Sequence, residues 1–149
     1  MSMNTVPERL AALRAAMAAN GVAVYLIPVG DPHASEYLPC HYTSLTWFSG
    51  FHGENSNFVV TRTESALWAD GRYFVQAEKE IAGTEIKLQR MGEPGVPTVE
   101  EYCANALNEG EALGLCGLTA SCGLVRSVQK KLDAKKGTIK TLNLEDELW

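Results

Sequence analysis

Apolar positions along this chain change their period repeatedly, and each change marks an element. Leu10, Leu13 and Met17 recur at helical spacing. Ahead of them stand Thr5, Pro7 and Glu8, which read as a capping box with a proline in the first turn. Gly21 supplies the stop. The run 22–28 is continuously apolar and rich in branched residues, as a strand buried on both faces must be. From Pro28 to Thr43 three prolines and little periodicity predict a long loop.

Two short apolar runs, 58–61 and 66–69, predict strands joined by a turn at Thr63-Glu64. A helix is expected over 72–82, stopped by Gly83, and a strand over 85–90. Thr98 and Glu101 form a second capping box, opening a helix with Tyr102, Ala106 and Leu107 on one side. A strand over 112–116 follows, then a helix presenting Leu124, Val125, Val128 and Leu132 and ending before Gly137. A short strand over 138–142 closes the series. Strands alternating with amphipathic helices predict a three-layer α/β domain, and the hairpin makes its sheet mixed.

Composition narrows the partners. At 149 residues the chain is one domain's worth, with a net charge of −5 that disfavours nucleic acid. The one basic cluster, Lys130-Lys131 with Lys135-Lys136, falls near a helix end and complements its dipole as a solvated face. No apolar run approaches the ~20 residues of a membrane span. Glu8, Arg9 and Arg14 stand inside a helical pattern, which is no standard signal peptide. Cys40, Cys103, Cys116 and Cys122 form no C-x-x-C pair and read as reduced, mostly buried thiols of a cytoplasmic protein.

The strongest local signal is the junction 67–77. Asp70 is suited to capping free amides, and Gly71 to close approach or a positive φ. Arg72 is suited to a partly buried set of acceptors, with Tyr73 beside it. This is a structural clamp between strand and helix. A second cluster joins His33, His41 and His52 to Asp31, Glu36 and Cys40. His33 and His41 are eight apart across Pro39, which is not ligand spacing, so no metal is expected. Neither a nucleophile elbow nor a phosphate-binding glycine loop is present. Trp47, Phe48 and Phe51 around Ser49-Gly50 read as an aromatic plug at the sheet edge.

Four stretches also resemble one family. Trp68 to Ala77 is similar to a W-x-D-G-R-Y-F-x-Q-A segment, and Gly30 to Tyr37 to G-D-x-H-x-S-E-Y. Ser49 to Gly53 matches S-G-F-x-G, and Asn143 to Trp149 matches N-L-x-D-x-x-W. In this order and spacing they resemble the amino-terminal domain of Xaa-Pro aminopeptidases (aminopeptidase P), in the creatinase/prolidase group. Two departures stand out. Ser44-Leu45 replaces a common arginine, and Gly53-Glu54-Asn55-Ser56 replaces a smaller turn.

The resemblance implies a three-layer domain with a mixed sheet, often described as ribonuclease H-like, spanning 1–149. It implies that hydrolysis belongs to a carboxy-terminal domain holding two divalent metals, with manganese expected, on two Asp, one His and two Glu. No catalytic residue and no cofactor is therefore assigned to this chain. The apolar Leu148-Trp149 ending fits a cut near a domain boundary. The implied role is assembly and walling of the cleft, with partners in the catalytic domain, a second copy and the parent's peptide substrate. Asp31, His33, Glu36, Tyr37, Phe51 and His52 are the candidates to face that interface or cleft. The alternative is a free-standing interaction module on the same scaffold, without peptidase activity.

Overall fold

Each change of period becomes an element in the computed structural model, which describes residues 5–149. Helix α1 (Val6–Ala19) leads into β1 (Val24–Pro28), and α2 (Ser44–Ser49) precedes the hairpin of β2 (Asn57–Thr61) and β3 (Ser65–Ala69). Then come α3 (Phe74–Glu80), β4 (Lys87–Arg90), α4 (Val99–Ala106) and β5 (Ala112–Leu115). The chain continues through α5 (Cys122–Leu132), β6 (Thr138–Thr141) and α6 (Leu144–Leu148). Both predicted capping boxes form: Thr5 and Glu8 bond reciprocally at α1, Thr98 and Glu101 at α4.

The strands make one sheet in the order β4-β3-β2-β1-β5-β6. Only β2 runs antiparallel to its neighbours, so the other five strands share one direction. Helices α1, α2, α3 and α6 cover one face through Leu10, Leu13, Phe48, Ala77 and Leu144. Helices α4 and α5 cover the other through Cys103, Val128 and Leu132. Strand β1 explains its own apolar run: Tyr25 and Ile27 enter the first layer, Val24 and Leu26 the second. Burying each such side chain contributes about 1.5–3 kcal/mol, so neither face of this strand tolerates a polar residue easily.

Several expectations are corrected. Trp47 and Phe48 of the aromatic plug lie in α2, which packs on α1, β1 and β2 rather than at the sheet edge, and Phe51 follows it. At six residues α2 is too short to show a period. Gly50 ends it at φ +80, a conformation that costs glycine nothing. The helix expected from residue 72 begins at Phe74, after a 3-10 turn over Gly71–Tyr73. Helix α6 had no periodic signal in five residues. All four cysteines are free, but only Cys103 and Cys116 are buried, while Cys40 and Cys122 are exposed.

Candidate functional site

Strands β1 and β5 lie side by side and end together, and their outgoing connections part. The chain after β1 turns toward α2 on one face, and the chain after β5 turns into α5 on the other. Divergent connections at the carboxyl ends of neighbouring parallel strands leave a crevice, the usual ligand position of open α/β sheets. A groove of about 850 Å³ occupies this place. Its walls are the loop after β1, residues 52–57 with Arg72, and the segment 118–124.

Asp31 shapes the first wall. Its buried carboxylate accepts the amides of His33 at 2.9 Å and Ser35 at 3.0 Å, closing the loop upon itself. Bonds from Ser35 and then His33 hold its carboxyl below the ordinary range. The turn carries Ala34 at φ +52. Beyond it the loop presents Glu36 and a Tyr37 that is 82% exposed, both lining the groove. Leu118, 63% exposed, lines the groove from the β5 side. Among the expected residues, Asp31, Glu36, Tyr37 and His52 share the groove. His33 is exposed but lies outside its lining.

Phe51 is corrected. Its ring is fully buried in the core, edge-on to Tyr73 with centroids 6.0 Å apart, so it presents no surface to a partner. It instead fixes the approach of Gly53. A Cβ there would stand 2.1 Å from the Phe51 ring, so only glycine fits the turn. His52, next in sequence, pairs through Nδ1 with Glu80 at the start of this wall.

The junction after β3 also departs from expectation. Asp70 accepts the Arg72 amide at 3.0 Å and so caps the 3-10 turn that leads into α3. The Arg72 guanidinium, 67% exposed, folds back onto the same carboxylate at 2.9 Å and over the Tyr73 ring at 5.3 Å. It reaches no buried acceptors, and burial was the wrong expectation. Gly71 has open space where a Cβ would lie and no positive φ, so nothing there requires glycine. Asn55 Nδ2 adds a 3.2 Å bond to Asp70 and ties the junction to the groove wall. The Arg72 bond above all pulls the Asp70 carboxyl down to about 2.

Reading the sequence missed two features of the groove. Ser56 lines it with a residue only 3% exposed, and its hydroxyl has no partner among the described residues. Leu118 to Leu124 forms the far wall, with Ser121 capping the Leu124 amide at 3.1 Å to open α5. No pattern in the sequence marks either one, since the exposure of Leu118 and the unpartnered Ser56 hydroxyl arise only on folding. Among the described residues no three of His, Cys, Asp and Glu converge. His41 sits 3.4 Å from Asp146 and His52 beside Glu80, so these side chains do not fit a two-metal centre. No described helix is long and apolar enough to cross a membrane.

The sequence model of the creatinase/prolidase N-terminal domain matches residues 9–147. The chain belongs to that family. Aminopeptidase P2 of Arabidopsis thaliana is 38% identical over 97% of this chain, which spans 21% of the plant protein. A probable Xaa-Pro aminopeptidase P of Pyricularia oryzae is 35% identical over the whole chain, which covers 24% of it. The chain thus spans about a fifth to a quarter of the curated relatives it matches. A crystal structure of X-prolyl aminopeptidase from Caenorhabditis elegans, described as a cytosolic enzyme with a di-nuclear active site, superposes with a TM-score of 0.88. That match has 33% identity and covers 99% of this chain and 26% of the other. The N-terminal domain of the cytoplasmic peptidase PepQ from Mycobacterium tuberculosis shares the fold at a TM-score of 0.68 and 23% identity. It covers 95% of this creatinase/prolidase-type domain and 98% of that chain.

Proposed function

We propose that this domain is the non-catalytic amino-terminal part of a cytoplasmic Xaa-Pro aminopeptidase, which removes the residue preceding an amino-terminal proline. One observation carries the reading: relatives named as Xaa-Pro aminopeptidases match nearly the whole chain, yet the chain spans only about a quarter or less of each. The parent's two metals, with manganese as the expected pair, belong to a domain outside this chain. The described side chains supply no ligand set for them. The groove between the Asp31 loop and Leu118 is the face turned toward the rest of the polypeptide or toward a second subunit of a homodimer. There Asp31, Glu36, Tyr37 and His52 wall the approach to the peptide substrate. Loops on a rigid sheet suit that task, because the scaffold fixes where they point.

The test is an assay of the 149-residue chain and of its parent polypeptide on an Xaa-Pro peptide, with added manganese and a chelated control. Turnover is expected from the parent alone. Metal-dependent turnover by the short chain overturns the reading, as does a parental reading frame with no metal-binding domain.

A further inference from the structure

Helix α6 is fastened to the sheet through a buried carboxyl side chain with no cation beside it among the described residues. Glu145 is 4% exposed and forms no ion pair among the described residues. Its Oε1 accepts from Ser44 Oγ at 3.2 Å, and its Oε2 lies 2.5 Å from Tyr25 Oη. That phenol oxygen also accepts the Leu144 amide at 3.2 Å and stands 2.9 Å from the Leu142 carbonyl oxygen.

A count of protons decides the state of this cluster. A phenol has one proton to give and can accept through its lone pairs. The Leu144 amide donates to it, so its single proton must serve two oxygens, Leu142 O and Glu145 Oε2. An ionised Glu145 brings no proton of its own. One of the two close oxygen pairs would then face each other bare, in a site where unmade bonds are costly. A protonated Glu145 removes the conflict. Its O–H donates to Tyr25 Oη, the phenol donates to Leu142, and Ser44 donates to the remaining carboxyl oxygen.

We propose that Glu145 carries a proton in the folded chain at neutral pH, making the seat of α6 a proton-binding site. Burial pushes this carboxyl above the ordinary carboxylate range and Asp146 adds to the rise, while the Tyr25 and Ser44 bonds oppose it. Among the described residues, the groups around it supply no compensating cation. On α6 itself stand Asp146 and Glu147. From the turn Cys40–Tyr42, His41 reaches Asp146, and Cys116 closes the end of β5. On α1, Arg14 is committed to Glu85 and Thr61, Arg9 donates to the Trp47 carbonyl at 2.7 Å, and Glu8 completes its capping box.

When Glu145 ionises, its proton passes to solvent and the Tyr25 proton turns to the new carboxylate. Leu142 loses its donor, and an unpaired charge lies beneath α6. The folded carboxyl sits above its unfolded value, so its contribution is complete below about pH 4.3 and is lost as pH rises through the folded value. Alkaline pH therefore loosens α6. Trp149, at its end, stacks on Trp47 and on His41 with centroids 6.4 Å apart, so its fluorescence reports the release.

Carbon-13 carboxyl NMR on glutamate-labelled chain reads the state directly and needs no variant. The Glu145 resonance is expected to stay at its protonated position at pH 7, after the exposed glutamates have ionised. Titration together with those glutamates overturns the proposal. Melting of Glu145→Gln and Glu145→Ala adds a second reading. The amide can donate to Tyr25 as the acid does. Glu145→Gln should match the wild type at about pH 4 and lose less midpoint than it as pH rises to about 9, while Glu145→Ala is lower throughout. A Glu145→Gln chain as weak as Glu145→Ala at about pH 4, beside a wild type that holds its midpoint to about pH 9, also overturns it.

Discussion

The two ends of the sheet are built on opposite plans. At the amino ends of β1, β3, β4 and β5, charged side chains reach between elements and lock them. Arg14 grips Glu85 through both nitrogens at 2.7 Å and the Thr61 carbonyl at 2.8 Å. Lys87 and Tyr102 converge on Glu64 at 2.6 and 2.5 Å, and Arg62 pairs with Glu111. At the carboxyl ends two carboxylates of the groove walls turn back upon their own loops, and the pairs between segments there run through histidines, His52 to Glu80 and His41 to Asp146. Asp31 closes its own turn and Asp70 holds an arginine two residues away. The Ser56 hydroxyl is left unpartnered, and Tyr37 and Leu118 stay in water. Arginine and lysine clamps between distant elements crowd one end of the sheet, while the groove at the other keeps exposed side chains such as Tyr37 and Leu118.

The sharpest challenge to this contrast is that the open end rests on a firm floor. Phe51→Ala should destabilise by about 3–5 kcal/mol, the usual cost of removing a buried aromatic ring. Gly53→Ala should cost about 1–3 kcal/mol, because its methyl would overlap that ring. Denaturant midpoints decide both. Small losses would mean that the floor itself yields, and the carboxyl end would then be loose throughout.

At the closed end, Arg14→Ala should cost about 1–2 kcal/mol. The arginine is mostly buried, but Glu85 is 35% exposed and solvent screens part of the pair. The same melt on Arg72→Ala should barely move, since that guanidinium bonds only a carboxylate two residues away and an adjacent ring. Equal losses at Arg14 and Arg72 would break the comparison.

The groove sharpens it from the other side. Tyr37→Ala and Leu118→Ser should each alter stability by no more than about 0.5 kcal/mol, as exposed side chains do. In the parent polypeptide, however, they should lower kcat/KM on an Xaa-Pro peptide or weaken self-association, measured by sedimentation. Loss of neither activity nor association would leave the open end without a partner.

How far the sequence reached follows the same division. The sheet was legible because an unbroken apolar run marks a strand buried on both faces, as in β1, and because capping boxes at Thr5 and Thr98 are chemical signatures. Helices α2 and α6, of six and five residues, are too short to show a period, and packing makes them helical, with Asn143 capping α6 through the Asp146 amide. At the groove, Asp31, Glu36, Tyr37 and His52 were found through motif and loop length. Ser56 and Leu118 were not, because only the folded chain shows a hydroxyl without a partner or a leucine without a cover. Phe51 and Arg72 were misplaced for one reason: residue type says which contacts a side chain can make, and the neighbouring elements decide its depth.

The smallest expected effect belongs to Asp70, and its pH dependence tests whether charges at the open end act only locally. Arg72 holds this carboxyl at about 2, below its ordinary 3.8. A carboxyl lowered in the folded state contributes stability above its unfolded pKa, and that contribution is lost as pH falls through the folded value. The midpoint difference between wild type and Asp70→Asn should therefore be constant above about pH 5 and shrink toward pH 2. Because the arginine is exposed, added salt should shrink it further at every pH. Thermal melts at low and high ionic strength measure it. A difference that survives both acid and salt would mean that Asp70 works only through its neutral bonds to the Arg72 amide and Asn55. One larger than that of Arg14→Ala would place a strong polar lock at the carboxyl end, and the contrast between the two ends would fail.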